Sequence, residues 1–83
     1  MTHVLHDLHA EFPDDGEILH RLKLSDAHFQ KVSDAHAQVN NDIHRIEAGI
    51  DAASDARLED LKKQRLALLD DVATLIARTK ATA

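Results

Sequence analysis

The chain has 83 residues, 43% of them hydrophobic and 30% charged, which leaves room for one small domain. It has no cysteine, which excludes a disulfide framework and a thiolate zinc site and fits a reducing cytoplasm. The formal net charge is −5, with nine acids against four Lys or Arg in residues 1–50 and six of each in residues 51–83. That balance lacks the clustered positive charge that general nucleic-acid binding requires.

No basic segment followed by an apolar run opens the chain, so neither a signal peptide nor a membrane span is expected. Residues 3–12 are predicted to form a short amphipathic helix, because Val4, Leu8 and Phe12 are spaced four apart with Leu5 beside them. Thr2 is its candidate cap. Pro13 ends it, and Asp14, Asp15 and Gly16 mark a turn. A first long helix is predicted over residues 15–48, with a break near 24–26 where Ser25 or Asp26 can cap a new segment. Gly49 is placed to close it in the left-handed conformation. A second helix is predicted over 55–78, capped by Ser54 or Asp51, with Asp55, Glu59 and Asp60 near its positive end and the tail TKATA fraying.

Two apolar ladders mirror each other. Phe29, Val32, His36, Val39, Ile43 and Ile46 step by three and four residues, as do Leu58, Leu61, Arg65, Leu68, Val72 and Leu75. In reverse order they pair from Ile46 with Leu58 to Phe29 with Leu75, the register of two antiparallel helices. Flanking charges agree: Asn40 and Glu47 face Lys62 on one side, and Asp42 faces Arg57 and Gln64 on the other. The fold class expected is all-α, a coiled-coil-like antiparallel hairpin with a short N-terminal helix. The 83 residues form one domain.

The second helix carries more apolar surface than one partner can cover, with Leu66, Leu69, Ala73 and Ile76 along an adjacent edge. The first helix offers only Asp26 and Ser33 across from it. Either the N-terminal segment folds back (Leu5, Leu8, Phe12, Leu19 and Leu24), or a second copy docks to give a four-helix bundle. The second copy is the simpler answer, since small chains often gain core by association. A homodimer with this edge as its interaction surface is therefore expected, alongside an unidentified protein partner.

Residues suited to chemistry are few. His3, His6 and His9 repeat every three residues, and imidazole binds zinc, copper or nickel. On a helix the outer two are about 120° apart, so three nitrogens do not converge on one ion. They are weak metal candidates, and a solvated polar face explains them as well. His20, His28, His36 and His44 are spaced by eight, each rotated about 80° from the last, and only His36 falls on the seam. His36 and Arg65 are the polar residues of the ladders, and buried polar residues of this kind fix register and partner number. A protonation switch at His36 is the sharper alternative. Lys62, Lys63 and Arg65 are the basic cluster. With only Gly16 and Gly49 there is no phosphate-cradling loop. Asp70 and Asp71 diverge by about 100° and form no acid–base pair. No enzyme activity and no cofactor are expected.

The strings FPDDGEILHRLK and SDAHF, then His36, Val39, Ile43 and Glu47, then LEDLKKQRLALLDD resemble the YdcH-like family of small bacterial proteins of uncharacterised function. The resemblance covers about residues 12–77. It implies a simple helical hairpin, self-associating in some members, with no agreed activity. It marks Phe12, Pro13, Leu22 and Lys23 in the first part of the chain. Asp26, His28, Phe29 and His36 are marked on the long helix, and Lys62, Lys63, Leu66 and Asp70 on the second. Asn40 stands where the family usually has an acid, and Leu69 where it usually has a lysine, which makes the second helix's edge more apolar here.

The expected function is that of a cytoplasmic interaction or adaptor module working through helical packing. A metal-responsive protein using the N-terminal histidines, and an RNA- or ribosome-associated factor using Lys62, Lys63 and Arg65, are the alternatives.

Overall fold

A computed structural model describes residues 4–82, with side chains from residue 8 onward. The described chain is helical apart from its connections: α1 (Val4–Glu11), a single 3-10 turn (Pro13–Asp15), α2 (Gly16–Ser25), α3 (Ala27–Glu47) and α4 (Asp55–Ala81). α3 and α4 form an antiparallel hairpin, and α1 and α2 pack across its open end. The extents are 45 × 25 × 22 Å, the longest close to the roughly 40 Å that the 27 residues of α4 span at 1.5 Å each.

Local chemistry sets each boundary. Phe12 leaves helical geometry at φ −129°, and Pro13, which has no N–H to donate, opens the 3-10 turn. Asp26 separates α2 from α3. Its extended backbone (φ −123°, ψ 108°) ends one helix by donating its N–H to the Leu22 carbonyl at 2.9 Å. Its carboxylate starts the next by accepting from the Phe29 N–H at 2.9 Å. One residue thus serves both as C-cap and N-cap, which is why the chain bends there.

α3 closes in a Schellman motif. Gly49 takes φ +78°, the Gly49 N–H reaches the Ile46 carbonyl at 3.1 Å, and the Ile50 N–H reaches the Arg45 carbonyl at 2.9 Å. Ser54 caps α4, its hydroxyl accepting from the Arg57 N–H at 3.1 Å. α4 then continues to Ala81, beyond the boundary at residue 78 and into the tail expected to fray. The physical reason is an anchor: Lys80 Nζ lies 2.8 Å from Asp15 Oδ1, whose side chain is only 15% exposed.

The ladders form the core in two sections. Near the turn, Val39, Ile43 and Leu61 are buried, with Ile46, Leu58 and Leu68 packed around them. At the open end, Phe29, Val32, Val72 and Leu75 join Leu8, Leu19, Leu22 and Ile76, with Phe12 and Ile18 at the margin. Each such side chain contributes about 1.5–3 kcal/mol when fully buried.

Between the sections lie the polar ladder residues, His36 buried and Arg65 partly buried. The chain therefore covers part of its own unmatched edge. Ile76, expected on an open interaction surface, is 4% exposed beneath the N-terminal layer. The fold-back needs the bend at Asp26, which lets α2 lie against both helices of the hairpin. Leu24, grouped with the covering residues by sequence, instead faces solvent at the end of α2.

Candidate functional site

Where the two core sections meet, α3 and α4 are bridged by polar groups. Arg65 Nη1 donates to Asn40 Oδ1 at 3.0 Å. His36, one turn before Asn40 on α3, is buried beside them. One turn before Arg65 on α4, Lys62 Nζ pairs with Glu47 Oε2 at 3.2 Å. His36, Asn40, Lys62 and Arg65, with Glu11 of α1, form the polar part of a cleft of about 380 Å³ that Leu66 and Leu69 border on α4. Ala10 and Glu11, at the end of α1, close its far side.

The electrostatics of the cleft are asymmetric. Lys62 has a carboxylate partner and Arg65 does not: among the described residues no acidic oxygen comes within 4.0 Å of its guanidinium. Arg65 is held by the neutral Asn40 amide through one of five N–H donors. Glu11 lines the same cleft from α1, so a carboxylate and the guanidinium share its walls.

The structure separates several residues grouped by sequence. Lys62 and Arg65 line the cleft, whereas Lys63 is exposed and does not, because successive helix positions turn by about 100°. Of the expected interaction edge, Leu66 is 62% exposed, Ala73 is exposed, Leu69 is partly covered and Ile76 is buried. Glu47 reaches Lys62, while Asn40, placed on the same flank, accepts from Arg65 instead. The other flank differs from expectation, since Asp42 accepts from Gln38 at 3.0 Å and Gln64 donates to Asp60 at 2.9 Å, both within a helix. Arg45, which points away from the seam, is taken by Asp51 in the turn at 2.8 Å.

Among the described residues no group of three His, Cys, Asp or Glu side chains is placed to hold a metal ion. His9 is exposed, its ring next to Gly16, and the side chains of His3 and His6 lie outside the described part. His20, His28 and His44 are also exposed. No described helix is long and apolar enough to cross a membrane.

The Asn40–Arg65 bond and the Lys80–Asp15 anchor were not read from the sequence. The first had a signal, since Asn40 lies nearly level with Arg65 in the antiparallel register. The second had none, because it requires the N-terminal layer to pack against the end of α4.

No curated protein and no solved structure matches the chain. The family model described as "Protein of unknown function (DUF465)" matches residues 29–76, more than half of the chain and the stretch that builds the hairpin and the cleft. YdcH is a member of that family, in agreement with the resemblance carried by SDAHF and LKKQRLALLDD. The chain belongs to the DUF465 family of small proteins of unknown function.

Proposed function

We propose that the chain is a cytoplasmic protein-interaction module that docks an amphipathic helical segment of a partner along α4, at Leu66 and the adjoining cleft. The observation that carries this reading is Leu66, a large apolar side chain 62% exposed in the middle of a helix, at the mouth of a cleft with polar groups behind it. Single exposed leucines are common on protein surfaces. The polar cleft and the partly exposed Leu69 beside it make this one different.

With Ile76 buried, Leu66, Leu69 and Ala73 remain of the apolar edge. A stable homodimer buries on the order of 800 Å² per partner, and three side chains supply only part of that. The small strip suits a short partner segment better than a second hairpin.

The test compares wild type with Leu66→Gln in affinity purification from the native host, followed by binding between purified components. A partner that binds wild type and loses at least tenfold in affinity to Leu66→Gln supports the reading. Equal binding by both proteins rejects this face. Sedimentation of the two proteins distinguishes a second copy: a wild-type dimer that becomes monomeric in Leu66→Gln makes the occupant the chain itself. Leu69→Glu, the obvious change from sequence, is less clean, because Leu69 also packs against the core.

A further inference from the structure

We infer that the cleft at Arg65 is a carboxylate-recognition pocket, which receives an acidic side chain of the docked segment while an apolar residue of the same segment rests on Leu66. The inference rests on the proposed docking face, but it concerns a different set of atoms and a different chemical requirement.

Charge and geometry give its basis. Glu11 lines the same cleft, but among the described residues no carboxylate oxygen lies within 4.0 Å of Arg65, and Asn40 fixes its guanidinium at 3.0 Å without neutralising it. A planar guanidinium with free N–H donors binds a carboxylate through two parallel hydrogen bonds, a stronger and more directional contact than a neutral pair gives. Lys62 adds a second positive charge one turn away, already positioned by Glu47 at 3.2 Å. The space in front is about 380 Å³, ample for an Asp or Glu side chain. His36 forms part of the wall and is 2% exposed, so that side of the cleft is built from the core.

The sequence requirement on the partner follows. Arg65 and Leu66, about 100° apart around α4, both line the cleft and offer it a cation and an apolar surface. A helical partner meets both when a Leu-like residue and an acid lie three or four positions apart on one face. The chain's own net charge of −5 opposes a generally acidic partner. Recognition therefore depends on one well-placed carboxylate rather than on bulk charge.

The test uses the full chain labelled for NMR and three probes. The first is an acetylated, amidated helical peptide carrying one Leu and one Glu four apart, the second its Glu→Gln copy, and the third inorganic phosphate. The Glu peptide is expected to shift the Arg65 guanidinium signals saturably. Affinity should fall at least tenfold for the Gln copy and for Arg65→Gln, and severalfold for Lys62→Gln. Lys62 is exposed, so that variant keeps the test valid if Arg65→Gln folds poorly. Equal affinity for the Glu and Gln peptides, with loss on Leu66→Gln, overturns the carboxylate pocket and leaves the docking face standing. Phosphate that shifts Arg65 while neither peptide binds rejects the docking face and the segment-borne carboxylate together. Phosphate binding at Arg65 more tightly than the Glu peptide also overturns the assignment, in favour of a free oxyanion site.

Discussion

Arg65 on α4 donates through Nη1 to the side-chain oxygen of Asn40 on α3, 3.0 Å away, across the seam of the hairpin. This bond joins the two ladders at the level where both core sections thin out. A partly buried hydrogen bond to a charged donor contributes about 1.5–3 kcal/mol. In a double-mutant cycle of Asn40→Ala and Arg65→Ala, measured by urea unfolding, the coupling is expected at about 1–2 kcal/mol. A coupling near zero would show that the pair does not hold the helices in register.

The two glycines should respond in opposite directions. Gly49 adopts φ +78°, so Gly49→Ala forces a side chain into the left-handed region and should destabilise by about 1–2 kcal/mol. Gly16 is helical at φ −56°, ψ −42°, and an added Cβ meets the His9 ring at an ordinary 3.5 Å. Gly16→Ala should therefore stabilise by about 0.4–1 kcal/mol, chiefly by restricting the unfolded chain. Thermal melts of both variants check the pair of signs.

The N-terminal layer makes a strong prediction at Leu8, which is 0% exposed and packs with Phe29, Val72 and Ile76. Leu8→Ala should cost about 2–5 kcal/mol, as for other large-to-small changes in a core. It should also raise amide exchange at the open end of the hairpin more than near the turn. A change below about 0.5 kcal/mol would mean that α1 does not seal the core.

The turn holds a carboxyl whose pKa is depressed. The hydrogen bond from Arg45 holds the Asp51 carboxyl below the usual carboxylate range, against an opposing desolvation effect and with the Arg45 charge adding to it. Because the folded value is depressed, the contribution is present above the ordinary carboxylate pKa, about 4, and is lost as pH falls through the folded value. NMR titration of Asp51 should show a low midpoint that returns to the ordinary range in Arg45→Gln. The pair is solvent-exposed, so the effect on global stability is expected to be small.

Lys80 and Asp15 tie the end of α4 to the turn before α2 at 2.8 Å. Lys80→Ala should lower global stability by less than about 1 kcal/mol, as for other ion pairs reached by solvent. Its clearer effect should be faster amide exchange over residues 79–82. Unchanged exchange there would remove the pair as the reason that α4 continues past residue 78.

The sequence by itself determined the hairpin. Apolar residues every three or four positions define a stripe on each helix, and their reversed order about a turn near residue 52 defines which residue meets which. Caps are equally local: residue type and position pointed to Gly49 and narrowed the others to Ser25 or Asp26 and to Ser54 or Asp51. The tertiary structure decided what covers α4 beyond its seam. An amphipathic stripe shows that apolar surface must be buried, but it does not name the surface that buries it. The bend at Asp26 brought Leu8 and Leu19 into one core cluster with Ile76, so one residue of the edge expected for a second copy became the chain's own core. Only packing in three dimensions could place Asn40 against Arg65 instead of Lys62, because that choice turns on ångström-scale rotation of one helix against the other. The same choice gives Arg65 a neutral partner on α3, beside the exposed Leu66.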